Sequence, residues 1–284
     1  MSSQLNLVSE HLCFGGNLAY YSHYSHCCNS NMSFSIFLPP QSLHQTLPVL
    51  YYLSGLTCTP ENFTVKAGAQ RYAAEHGLII VAPDTSPRDT GIPGESDRFD
   101  LGSGASFYVD AIISPWCDYY QMYSYITQEL PAVIKANFPI IPTKQGIFGH
   151  SMGGHGALVA ALRNPKQYLS VSAFAPISAP SVGVWGKQAF TTYLGADTSL
   201  WEDYDASKLV SKKQLSSTIL IDQGTADQFY QEQQLLPEVF QEACQKAGQK
   251  LELRLQPGYD HSYFMVASFI GDHLRHHAQI LSSL

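Results

Sequence analysis

Short apolar runs recur along the chain, and most stop at Gly, Pro, Ser or Asp, the residues that end strands and open turns. Eight of these runs read as strands: 5–14, 32–38 and 48–53 near the front, then 78–82, 145–149, 170–175, 218–222 and 251–255. The first three follow one another closely and predict antiparallel neighbours that open a sheet. The later five are separated by intervals long enough for crossover helices. Runs such as LIIVA at 78–82 are apolar throughout, as strands covered on both faces must be. Helices are predicted over 61–76, 120–137, 153–163, 228–247 and 262–280. The pattern is α/β: a mostly parallel eight-stranded sheet with helices on both faces. Two segments, 84–118 and 176–205, are rich in Gly, Pro, Ser, Asp and aromatics and fit neither period. Connections of that length in a compact domain generally carry function.

With 284 residues, 45% hydrophobic and 14% charged, the chain has ample material for a core, and nothing in it resembles a linker. One domain spanning 1–284 is expected. A net charge of −7 and the absence of a long Lys/Arg run argue against nucleic acid or an anionic membrane as partner. No basic start followed by an apolar segment precedes the domain, and no stretch approaches the ~18 apolar residues that span a bilayer. These features predict a cytoplasmic protein acting on a small molecule, its six cysteines reduced.

Chemistry concentrates after the run QGIFG, where Gly149, Ser151 and Gly153 form G-x-S-x-G between a predicted strand and a predicted helix. A strand that turns at once into a helix strains the corner residue and leaves no room for side chains two positions away, hence the glycines. This is the nucleophile elbow of the α/β-hydrolase fold, and it makes Ser151 the candidate nucleophile. A serine hydroxyl needs a neighbouring histidine to take its proton, and that histidine needs an orienting carboxylate, in chain order Ser, acid, His. Asp227, in the QGTAD loop after TILID, is the candidate acid; Asp222, ending that strand, is read as structural. His261, on the Pro-Gly loop before the last helix, is the candidate base. His273, His276 and His277, late in that helix, read as a solvated face. His150 and His155 flank the serine but belong to the wrong strand for a base. Oxyanion donors are expected from the backbone of Met152 and of Leu56, in the turn after LPVLYYL. His23 to Cys28 contains metal-ligand types but no second cluster, so a hairpin loop is the reading and no metal is expected. No phosphate-binding glycine loop is present, and no cofactor is expected.

Taken together, the stretches CFGG (13–16), LSGLTCTPENF (53–63), APDTSPR (82–88), FGHSMGGHGAL (148–158), SAFAPIS (172–178), WGKQAF (185–190), DQGTADQF (222–229) and GYDHSYF (258–264) resemble the S-formylglutathione hydrolase, or esterase D, family over essentially the whole chain. The resemblance implies a cofactor-free thioesterase that acts on a glutathione thioester, in the cytoplasm and as a homodimer. It assigns catalysis to Ser151, Asp227 and His261 and the oxyanion hole to Leu56 and Met152. It places Cys58, His150 and Trp185 near the site. The chain departs from the family pattern at Phe99, Leu101 and Ser106 and again at Ala179-Pro180-Ser181, which puts the acyl-size preference in question. For the glutathione carboxylates the sequence offers Lys66, Arg71 and Lys187 as candidate cations, without a basis for choosing.

Overall fold

A computed structural model describes residues 4–283. Among them, nine strands form one sheet in the order β1-β2-β3-β5-β4-β6-β7-β8-β9. These are β1 (Asn6–Cys13), β2 (Gly16–Ser25), β3 (Ser30–Leu38), β4 (Leu47–Leu53), β5 (Ile79–Pro83), β6 (Ile140–His150), β7 (Tyr168–Phe174), β8 (Ile219–Gly224) and β9 (Leu251–Gln256). The front three pair antiparallel and β3 runs antiparallel to β5, whereas β5-β4-β6-β7-β8-β9 is parallel throughout.

The count is nine rather than the expected eight because GNLAYYSHYS is a strand. Its Tyr and His positions mask the alternation that burial reveals at Ala19, His23 and Ser25. Nor are the front strands successive neighbours: β2 separates β1 from β3, and β4 lies beyond β5. Burial explains that placement. β4, LPVLYYL, is apolar on both faces and nearly wholly buried, so it belongs mid-sheet, while the exposed β1 forms the edge.

The helices also differ in detail. The predicted helix 61–76 is two, Pro60–Lys66 and Ala69–His76, parted at Gly68, whose φ of 66° is left-handed. The stretch 228–247 likewise divides into Gln228–Gln231 and Pro237–Ala247. The segment 176–205 contains an unforeseen helix, Val184–Leu194, and another follows at Ala206–Lys212. The helix Met152–Arg163 is buried from Met152 to Leu162, which its all-round apolar sequence requires.

The last helix, Tyr263–Ser282, buries Val266, Ile270, His273, His277 and Leu281 on one face. The expected solvated face for His273 and His277 is therefore corrected: both rings are wholly buried. His273 bonds Asp222 at 2.9 Å and Ser172 at 2.8 Å, and His277 bonds Ser170 at 2.7 Å and Ser172 at 2.9 Å. Asp222 also receives Arg254 and Gln256, consistent with the structural part assigned to it. His23, in the stretch weighed as a metal site, bonds the Tyr125 hydroxyl at 3.0 Å, and Glu129 ties the following turn through Ser25 and the backbone of His26 and Cys27. No described helix is long and apolar enough to cross a membrane.

Candidate active site

In an open parallel sheet, the strands' C-terminal ends form the crevice where ligands bind. Ser151 follows the last residue of β6 there, with φ 58° and ψ −120°, a conformation that costs an L-residue on the order of 1–3 kcal/mol. The glycines make the turn feasible. A Cβ at Gly153 would lie 1.9 Å from the Leu53 carbonyl oxygen, and one at Gly149 would lie 2.3 Å from that of Gly153. The Ser151 N–H donates to the Phe174 carbonyl at 2.9 Å, which ties the elbow to β7.

Asp227 and His261 hang from the loops after β8 and β9. His261 Nδ1 and Asp227 Oδ2 are 2.5 Å apart, with the carboxylate wholly buried. The other oxygen, Oδ1, accepts the Phe229 N–H at 2.8 Å and that of Tyr230 at 3.3 Å, and Gln223 donates to Oδ2 at 3.2 Å. A carboxylate so supplied with donors is a fixed acceptor, and it sets the imidazole so that Nε2 is free for chemistry. His261 and Ser151 line the same cavity of about 350 Å³.

The turn after β4 closes over the serine: a Cβ at Gly55 would meet that of Ser151 at 3.1 Å. Among the described residues, the backbone N–H groups of Leu56 and Met152 donate no hydrogen bond, and Leu56 lines the cavity. Two unspent donors beside a serine are what an oxyanion site requires. Phe99, Trp185 and Phe229 form an aromatic wall; Phe229 packs edge-on against His261 with ring centroids 4.8 Å apart.

Comparison with known proteins places this geometry. The esterase family model, described as "Putative esterase", matches residues 25–277. The chain is 52% identical over 280 residues to the S-formylglutathione hydrolase of Mus musculus, covering 98% of this chain and 99% of that one. It is 53% identical to that of Arabidopsis thaliana over 285 residues, covering 99% of each. This chain belongs to the S-formylglutathione hydrolase family. A solved S-formylglutathione hydrolase from Agrobacterium tumefaciens superposes with a TM-score of 0.95 at 47% identity, covering 97% of this chain and 99% of that one. The fold is accordingly that of the α/β-hydrolases, with nine strands in its sheet.

Of the departures from the S-formylglutathione hydrolase pattern, Phe99 alone lines the cavity, where it lies edge-on to Trp185 at 6.0 Å. Ser106 is buried and donates to the Thr85 carbonyl at 2.6 Å, so its exchange props the loop rather than shaping the pocket. Cys58 lines the cavity, and burial pushes its thiol above the usual range, against the pull of Tyr263, Lys66 and Arg88. Of the candidate cations, Lys66 lines the cavity, Arg71 pairs with Glu75, and Lys187 lies outside it. Phe229 and Tyr263 escaped the sequence reading. Each lies two positions after a triad candidate, Asp227 in TADQF and His261 in DHSY, and that proximity was the available signal.

Proposed function

We propose that this chain hydrolyses S-formylglutathione to glutathione and formate, with Ser151 as nucleophile, His261 as base and Asp227 as its orienting acid. The observation that carries the reading is the 2.5 Å His261–Asp227 contact opening onto the cavity that holds Ser151, in a chain half-identical along its length to enzymes of that name. His261 Nε2 takes the hydroxyl proton as Ser151 Oγ bonds the formyl carbon. The Leu56 and Met152 amides receive the developing oxyanion, and the carbon–sulfur bond then breaks to release the glutathione thiolate. A thiol with a parent pKa of about 8.5 leaves without strong protonation, unlike an amide nitrogen, so the site suits thioesters better than peptides. His261 gives the proton it holds to the released thiolate or to solvent. Neutral again, it deprotonates a water that attacks the formyl-serine, and it returns that proton to Ser151 Oγ as the acyl–oxygen bond breaks and formate departs.

The same reading takes residues 1–284 as one catalytic domain with no cofactor, acting in the cytoplasm as a homodimer, the last two features drawn from the family resemblance. Replacing Ser151 by Ala is expected to lower kcat on S-formylglutathione by ~10⁴- to 10⁶-fold and to abolish fluorophosphonate labelling. Retained turnover overturns the assignment. A general small-acyl carboxylesterase is the alternative. The aromatic wall of Phe99, Trp185 and Phe229 bears on it by limiting acyl size, and kcat/KM across formyl, acetyl and butyryl thioesters decides between the two.

A further inference from the structure

Beside the cavity that holds Ser151 lies a second recess of about 600 Å³, lined by Lys66, Ser262, Tyr263, Phe264 and Ala267. Lys66, Ser262 and Tyr263 line both, so the two adjoin. Ser151 lines the first cavity and not the recess, so the recess is space beside the acyl site that the larger part of a thioester could occupy.

Charge in these walls runs opposite to the charge of the chain. The protein carries −7 overall, yet among the described residues no Asp or Glu lines either cavity, and Lys66 is the one Lys or Arg that does. Its ammonium sits 5.8 Å from the centroid of the Tyr263 ring and makes no ion pair with a described residue. Arg88, which lines neither cavity, is already held by the Asp84 carboxylate and the Cys58 carbonyl. The field of Lys66 reaches the site, since it pulls on the Cys58 thiol. Phe264, 83% exposed at the far side of the recess, offers an apolar face along the same path.

We infer that Lys66 is the residue that reads the glutathione part of the substrate: its ammonium pairs with a carboxylate of the tripeptide lying in the recess between Lys66 and Phe264. This rests on the thioesterase reading above. Glutathione offers two carboxylates, of its glycyl and γ-glutamyl residues, and the chemistry at Lys66 is the same for either. An uncharged ester has nothing for Lys66 to hold, so the residue sets preference among substrates and leaves the acyl chemistry to the serine site. Because Lys66 is solvent-exposed, the pair is of the modest, salt-sensitive kind.

The test compares wild type, Lys66→Gln and Lys66→Arg on S-formylglutathione, its glycyl monomethyl ester and its γ-glutamyl α-monomethyl ester. Esterifying the carboxylate that Lys66 holds should lower wild-type kcat/KM roughly 3- to 10-fold, through KM. Lys66→Gln should show the same loss on the diacid and no further loss on that ester, with Lys66→Arg between the two. Whichever monoester shows the effect identifies the carboxylate. If Lys66→Gln still discriminates acid from ester as wild type does, the inference fails while the thioesterase reading stands. If wild type does not turn over S-formylglutathione at all, both fall.

Discussion

The imidazole of His150 lies against that of His261, ring centroids 4.5 Å apart and planes inclined by 38°. His150 is buried, and neither of its ring nitrogens has a hydrogen-bond partner among the described residues. Burial, and then the neighbouring His261, push its pKa well below the usual histidine range, so it stands as an uncharged wall for the candidate base. Removing the ring should therefore act through position. His150→Ala is expected to lower kcat roughly 10- to 100-fold with little change in KM, and His150→Phe, which refills the space, to recover most of it. Steady-state kinetics of the two variants check this; an alanine variant with normal kcat would show that the contact is idle.

Ser151 stores strain that a glycine would not. Ser151→Gly should be inactive and yet more stable than wild type by about 1 kcal/mol, because φ 58° with ψ −120° is unfavourable for any residue with a Cβ. Urea denaturation measures it, and a destabilised glycine variant would contradict the reading.

Asp227 binds His261 through one oxygen and two backbone amides through the other. Asp227→Asn keeps the shape, but the Phe229 and Tyr230 N–H groups claim its amide oxygen and leave the NH2 facing His261 Nδ1, which favours the wrong tautomer. A fall of about 10⁴ in kcat is expected, with near-normal melting. If melting drops steeply as well, Asp227 serves mainly as the cap of the turn that follows it.

Acid should loosen the fold at His155. Its Nε2–H donates to the Phe107 carbonyl at 3.0 Å, while Nδ1 is buried without a partner. A second proton has nowhere to bond, and burial lowers the pKa from 6.5 to about 4. Since the folded value lies below the unfolded one, the contribution is complete above pH 6.5 and is lost as pH falls from there towards 4, to a total of about 3 kcal/mol. Stability measured by urea at pH 7.5 and pH 5.0 should differ less in His155→Gln than in wild type. Equal differences would exclude His155 as a source of acid sensitivity.

The sites of chemistry were legible in the sequence because each sits on a short, unusual string whose residues have little freedom. GHSMGG must pack two Cα–H faces against β4, and TAD and YDH must each end a strand and begin a helix. The front of the sheet was not legible, because GNLAYYSHYS is polar at the surface of an edge region and its apolar period is broken by aromatic residues that count as either kind. The buried histidines failed for a different reason. Residue type suggested water, whereas the 266, 270, 273, 277, 281 spacing placed them on the packed face, and the partners that satisfy them, Asp222, Ser170 and Ser172, lie about a hundred residues or fewer away on β7 and β8. Lys66 could not be chosen from sequence either, since what distinguishes it is the absence of carboxylates around two cavities built from distant segments.

The loop that bears His261 lies between β9 and the helix Tyr263–Ser282, the last two elements of the sheet and its cover. During synthesis, the serine elbow and most of the sheet leave the ribosome well before this piece does. The helix that follows this loop packs on β6 and β7, the strands that carry and flank the serine elbow, so the candidate base and the elbow share one support. On the proposed reading, a copy lacking 251–282 would lose its base and the cover of that support together.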